Sequence, residues 1–161
     1  MSPRTRPAGE EDARSIVTVR EFDAPRDLVW AAFTDPKHLA HWWGPNGFTL
    51  TTYIFDFKPG GVWRFVMHGP DGRDYQNRIV YREIVKPERI AYSHGGAEDM
   101  EPVSFHTTAT FEDIGGGRTR LIFWALFPTA AERDRVAKEY GAVEGAKQTL
   151  GRLADYLRSL V

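Results

Sequence analysis

Apolar and polar positions follow two periods along this chain, and the switches between them mark out the elements. Residues 15–22 form an alternating, β-branched run that predicts a first strand. The period then lengthens. Leu28, Val29, Ala32 and Phe33 recur at helical spacing, which predicts a short helix with one buried stripe. Ala24-Pro25 opens it, with Pro25 at the first helical position, where the missing N–H is no loss. Asp35-Pro36 ends it, and the Asp35 carboxylate is suited to cap a second short helix over 36–42.

From Phe48 the period becomes two and stays so as far as Phe127. Strands are predicted over 48–57, 62–68, 75–85, 89–94, 103–112 and 119–127. Turn chemistry separates them at Pro59-Gly60-Gly61, Gly69-Pro70-Asp71-Gly72, Lys86-Pro87-Glu88 and Gly115-Gly116-Gly117. Connections this short join antiparallel neighbours, since a parallel crossover needs a dozen or more residues. The last regime is helical. Thr129 and Glu132 form a capping-box pair, and Tyr140-Gly141 predicts a break. Beyond it Val143, Ala146, Leu150, Leu153, Leu157 and Leu160 step by threes and fours, one apolar stripe over 143–160 that must lie against the sheet.

This order predicts an α+β domain of the helix-grip type over 15–161. A curved antiparallel sheet of about seven strands wraps a long C-terminal helix, with two short helices after the first strand. A helix is only about 10–12 Å across, so a sheet of that breadth leaves room for a cavity on its concave face. Residues 1–14, rich in Pro, Arg and Glu, predict a disordered lead-in that is neither signal peptide nor anchor.

Composition narrows the function. The chain has 161 residues, 42% of them apolar and 27% charged, which is ordinary globular usage. A formal net charge of -1 argues against nucleic acid as a partner. No apolar run reaches the roughly 18 residues of a membrane helix, so no membrane insertion and, by default, a cytoplasmic location are expected. Without cysteine there is no disulfide, thiolate metal site or thiol nucleophile. Aromatic residues, at 13%, concentrate in the strand region.

Three blocks in order carry a resemblance: Asp23-Ala24-Pro25 to Asp35-Pro36, Trp42-Trp43-Gly44-Pro45, and Phe57-Lys58-Pro59-Gly60-Gly61-Val62-Trp63. Tyr81-Arg82-Glu83-Ile84 and Gly145-Ala146-Lys147-Gln148-Thr149-Leu150 extend it. The chain resembles the SRPBCC (START-like, birch-allergen-like) superfamily, in particular bacterial proteins similar to the C-terminal domain of the heat-shock protein 90 ATPase activator. The resemblance implies a helix-grip fold with a hydrophobic cavity and neither metal nor cofactor. Ile79 and His94 depart from the glycine and tryptophan common in that group, which alters cavity volume and polarity.

The candidate ligand-binding residues follow from strand parity and the helical stripe. Trp42 and Trp43, beside Gly44-Pro45, are either a gate at the cavity mouth or a core plug. Trp63, Phe65, Tyr81, Tyr92, Phe105 and Phe123 are assigned to the inner face, with Leu150 and Leu153 opposite them; a bulge would invert Tyr81 and Tyr92. His94, His106 and Tyr81 are the candidate polar anchors. His94 and His106 lie on strands joined by one loop and would need a carboxylate to make a zinc site, and no ligand spacing supports one. Glu83 is either a buried general base or the partner of Arg82 or Arg89.

These features predict a protein that binds a small apolar or amphipathic molecule, in a stress-linked setting, and they leave enzymatic activity open, with binding favoured over turnover. Two alternatives stay open. One is a cavity enzyme of the cyclase or hydrolase type acting on an aromatic or polyketide-like substrate. The other is a chaperone-associated protein acting through its surface. A chaperone and a second copy of the chain, as a homodimer, are the further partners considered.

Overall fold

Consecutive hairpins dictate the sheet. The computed structural model describes residues 13–95, 104–139 and 141–160. Its elements are β1 (Ser15–Phe22), α1 (Arg26–Thr34), α2 (Pro36–Trp42), β2 (Thr49–Phe55), β3 (Val62–His68), β4 (Asp74–Val85), β5 (Arg89–His94), β6 (Phe105–Gly115), β7 (Arg118–Leu126), α3 (Ala130–Glu139) and α4 (Ala142–Leu160). The strands make one antiparallel sheet in the order β1-β7-β6-β5-β4-β3-β2. Strands β2 to β7 each lie beside their sequence neighbour, and β1 alone crosses the sheet. This is the helix-grip α+β architecture.

Local chemistry sets the boundaries. Asp35 caps α2 by accepting from the Lys37 amide at 2.9 Å. Thr129 caps α3 by accepting from the Glu132 amide at 3.0 Å. Gly141, at φ +58, separates α3 from α4. Three expectations need correction. Pro25 is the N-cap of α1 and not its first helical residue. Strand β2 is shorter than the predicted 48–57, because the Phe48 amide turns back to the Pro45 carbonyl at 3.1 Å and the Lys58 amide to the Asp56 carbonyl at 3.1 Å; a bulge lies within it between Thr52 and Ile54. The apolar stripe of α4 is buried only at Leu150, Leu153, Ala154 and Leu157, and Val143 and Leu160 are exposed at the helix ends. The predicted lead-in up to residue 12, the start of β6 at 103 and Tyr140 lie outside the described residues. Arg14, by contrast, is held, its carbonyl accepting from the Phe127 amide at 2.8 Å.

The core divides along α4. Its C-terminal half presents Leu153, Ala154 and Leu157 to a solid cluster with Phe22, Trp30, Phe33, Phe111 and Leu121. Phe111 meets Trp30 and Phe33 edge-on at 5.3 and 5.1 Å, the favoured approach of aromatic rings. Its N-terminal half carries Ala142, Gly145, Ala146 and Thr149 on one face, all small side chains. That half leaves the sheet unfilled.

Candidate ligand-binding cavity

Opposite those small residues lies a cavity of about 440 Å³. Its walls come from β1 (Ile16, Thr18), β3 (Met67), β4 (Tyr75, Gln76, Asn77), β5 (Tyr92, His94), β6 (Phe105) and β7 (Phe123, Ala125). Trp42, Trp43 and Phe48 close one side, and Ala142, Gly145, Ala146, Thr149 and Leu150 of α4 form the other. The small helix face and large sheet aromatics together explain why a space remains where α4 crosses.

Of the residues assigned from the sequence, Trp42, Trp43, Tyr92, His94, Phe105, Phe123 and Leu150 line this space. The others do not, for separate reasons. Trp63 and Phe65 face inward but are fully buried, stacked on each other at 4.1 Å, with Trp43 edge-on against Trp63 at 5.0 Å. They back the wall. Tyr81 is inward too, packed edge-on against Phe57 at 4.8 Å and filling the sheet beyond Tyr92. Leu153 belongs to the solid half of the core. His106 points the other way: it pairs with Ser93 in the ladder while His94 pairs with Phe105, so adjacent parity places the two imidazoles on opposite faces. On the outer face His106 Nδ1 is 2.9 Å from Ser93 Oγ, which also accepts from Arg82.

The two readings of Trp42 and Trp43 resolve differently. Trp42 is completely buried, its indole N–H donating to the Ala32 carbonyl at 3.1 Å, so it is a fixed part of the wall. Trp43 is half-buried and reaches both the cavity and the Trp63–Phe65 stack. The bulge in β4 falls between Tyr81 and Glu83, leaving Tyr81 inward and turning Glu83 out. There Glu83 accepts from Arg89 at 2.6 Å, and this bond holds its carboxyl below the usual range, the opposite of a buried base.

Arg73 and Glu139 are the charged residues among those lining the cavity, and its aromatic polar groups are neutral. Burial pushes the Tyr92 phenol above its ordinary pKa and holds His94 down at about 4, so both are uncharged near neutral pH. Among the described residues no group of three or more His, Asp or Glu side chains is placed to hold a metal ion. No helix among them is long and apolar enough to cross a membrane.

Sequence reasoning overlooked Asn77 and the small face of α4. The signals were present: a polar residue at an inward register position between Tyr75 and Ile79, and Ala142, Gly145, Ala146 and Thr149 at helical spacing.

The family model described as Activator of Hsp90 ATPase homolog 1-like protein matches residues 23–158. None of the curated proteins matches. Among solved structures, an NMR structure of a protein from Arthrobacter aurescens is 28% identical, covers 94% of this chain and 90% of that one, and superposes with a TM-score of 0.84. A crystal structure of a protein from Mycobacterium smegmatis is 26% identical, covers 96% and 97%, and has a TM-score of 0.83. DynU16, from the dynemicin biosynthetic locus, shares the fold at 20% identity, covering 90% of this chain and 47% of its own, with a TM-score of 0.64.

Proposed function

This chain belongs to the family of Activator of Hsp90 ATPase homolog 1-like proteins, and from that premise we propose that it binds a small apolar or amphipathic molecule between its sheet and its C-terminal helix. The observation that carries the reading is the cavity itself. Its volume of about 440 Å³ falls in the roughly 300–1,000 Å³ range of small-molecule sites. Aromatic and aliphatic side chains make most of its wall, with a few polar groups among them, the composition such sites share.

The cyclase or hydrolase alternative asks for an acid or base inside the cavity that works near neutral pH. His94 is held at about 4, which makes it a weak base there. His106 and Glu83, the other groups considered, stand on the outer face, and Glu139, the carboxylate among the lining residues, accepts from Arg135 at 3.1 Å. Binding without turnover is the reading that this arrangement favours.

The test is titration with a neutral fluorescent hydrocarbon amine, N-phenylnaphthylamine. Saturable enhancement is expected, with quenching of tryptophan emission, since Trp42 and Trp43 line the space. Ala146→Trp, on the cavity side of α4, should fill the site and abolish the signal while far-ultraviolet circular dichroism stays unchanged. Unsaturable binding, or binding indifferent to Ala146→Trp, would remove the proposal.

A further inference from the structure

One polar side chain of the wall is held with an unspent acceptor. His94 stands on the concave side of β5 between the rings of Phe65, at 6.2 Å, and Phe105, at 4.8 Å. Its Nε2 lies 2.8 Å from Oδ1 of Asn77. The orientation of that amide is set independently, because Asn77 Nδ2 donates to the Tyr75 carbonyl at 3.0 Å. An amide oxygen only accepts, so the single proton of the neutral ring sits on Nε2 and Nδ1 keeps its lone pair. Among the described residues Nδ1 has no hydrogen-bond partner, and it is not one of the side-chain atoms sealed away from all space. A lone pair left dry when a hydrocarbon fills the cavity is a penalty, and one met by a donor is a gain.

We propose that His94 Nδ1 is the polar anchor of the cavity and accepts a hydrogen bond from the hydroxyl group of an uncharged phenol or alcohol whose remainder is apolar. The inference rests on the ligand-binding reading above and names the ligand class for that same site. A carboxylate does not fit this anchor. It carries no proton to donate at neutral pH, and its oxygens would face the imidazole lone pair. An anionic ligand would instead turn to the guanidinium of Arg73, which lies over the Tyr75 ring at 4.4 Å on the cavity wall.

The experiment compares naphthalene, naphthol and naphthoate by tryptophan quenching at neutral pH. Naphthol is expected to bind about 3- to 10-fold more tightly than naphthalene, the range of one net hydrogen bond, and naphthoate more weakly than naphthol. In His94→Phe the ratio of naphthol to naphthalene affinity should fall to about one, whatever the change in naphthalene binding itself. NMR of the unsubstituted protein labelled in its histidine ring nitrogens needs no variant. It should report the proton on Nε2, and an Nδ1 resonance that moves with naphthol and stays still with naphthalene. Equal binding of naphthol and naphthalene, an advantage that survives His94→Phe, or a proton on Nδ1 would each overturn the anchor alone. Tightest binding of naphthoate would overturn it in favour of Arg73. Failure of naphthalene to bind at all would overturn the cavity reading and the anchor with it.

Discussion

The guanidinium of Arg152, on α4, lies 2.9 Å from the carbonyl oxygen of Gly44 and 3.0 Å from that of Pro45. Both carbonyls belong to the segment that follows Trp43, so one side chain of the long helix pins the aromatic side of the cavity in place. Partial burial draws the pKa of Arg152 below its ordinary value, as expected where backbone carbonyls replace water. Arg152→Met keeps the aliphatic stem and deletes the donors. It should lower unfolding stability by about 1–3 kcal/mol in urea and shift Trp43 emission to the red. An unchanged midpoint with an unchanged spectrum would show that the segment holds itself.

Gly44 tests the same segment from the backbone. Its φ of +105 is one that side chains rarely adopt, and an added Cβ would lie 2.8 Å from the Met67 Cε. A methionine end can move, so the backbone is the larger part. Gly60, at φ +81, has nothing within 4 Å of such a Cβ. Gly44→Ala and Gly60→Ala should each cost about 1–2 kcal/mol, with Gly44→Ala the larger, and the difference between them measures the crowding against Met67. Equal losses in urea unfolding would mean that Met67 yields freely.

The two halves of the helix stripe should differ sharply. Leu153 is fully buried, whereas Leu160 is 40% exposed. Leu153→Ala is expected to cost about 2–5 kcal/mol and Leu160→Ala less than about 1 kcal/mol, read from denaturant midpoints. Comparable losses would contradict the division of the core described for α4.

His94 should make stability depend on pH. Its folded pKa, about 4, lies below the 6.5 of an unfolded histidine. Between those values the unfolded chain binds a proton that the folded chain refuses. The contribution is therefore complete above about pH 6.5 and is lost as the pH falls towards 4, by about 3 kcal/mol. Carboxylates such as Glu83 and Glu132, which hydrogen bonds from Arg89 and Arg135 hold below their ordinary range, are common to both proteins compared. Subtracting the profile of His94→Phe isolates the histidine, and parallel profiles would mean that the imidazole takes up its proton in the folded state.

Legibility followed period and punctuation. Strands β1, β3 and β5 and the helix α2 were readable to the residue, because Pro, Gly and Asp mark their ends and their side chains alternate or recur cleanly. Parity also placed Trp63, Phe65 and Phe123 on the inner face. What parity cannot carry is depth: Trp63 and Phe65 share the cavity's face yet sit behind Trp43, and only the three-dimensional position of that indole decides it. Histidines 94 and 106 failed as a pair because β5 and β6 pair in a register that sets His94 opposite Phe105 and His106 opposite Ser93, which no composition reveals. For Glu83 the reading as the partner of Arg89 holds, and the bulge in β4 is what turns it outward to that arginine.

The order β1-β7 at one end of the sheet also has a consequence in time. Ser15 pairs with Leu126, so β1 waits for β7, the last strand of this sheet to be made, before it has a neighbour. At synthesis rates of roughly 5–20 residues per second that wait is on the order of ten seconds. Meanwhile β2 to β6 can zip hairpin by hairpin as they emerge. Ile16 and Thr18 of β1, with Phe123 and Ala125 of β7, are walls of the cavity. The pocket is thus finished in the same event that closes the sheet, and a nascent chain has nowhere to put a ligand until it does.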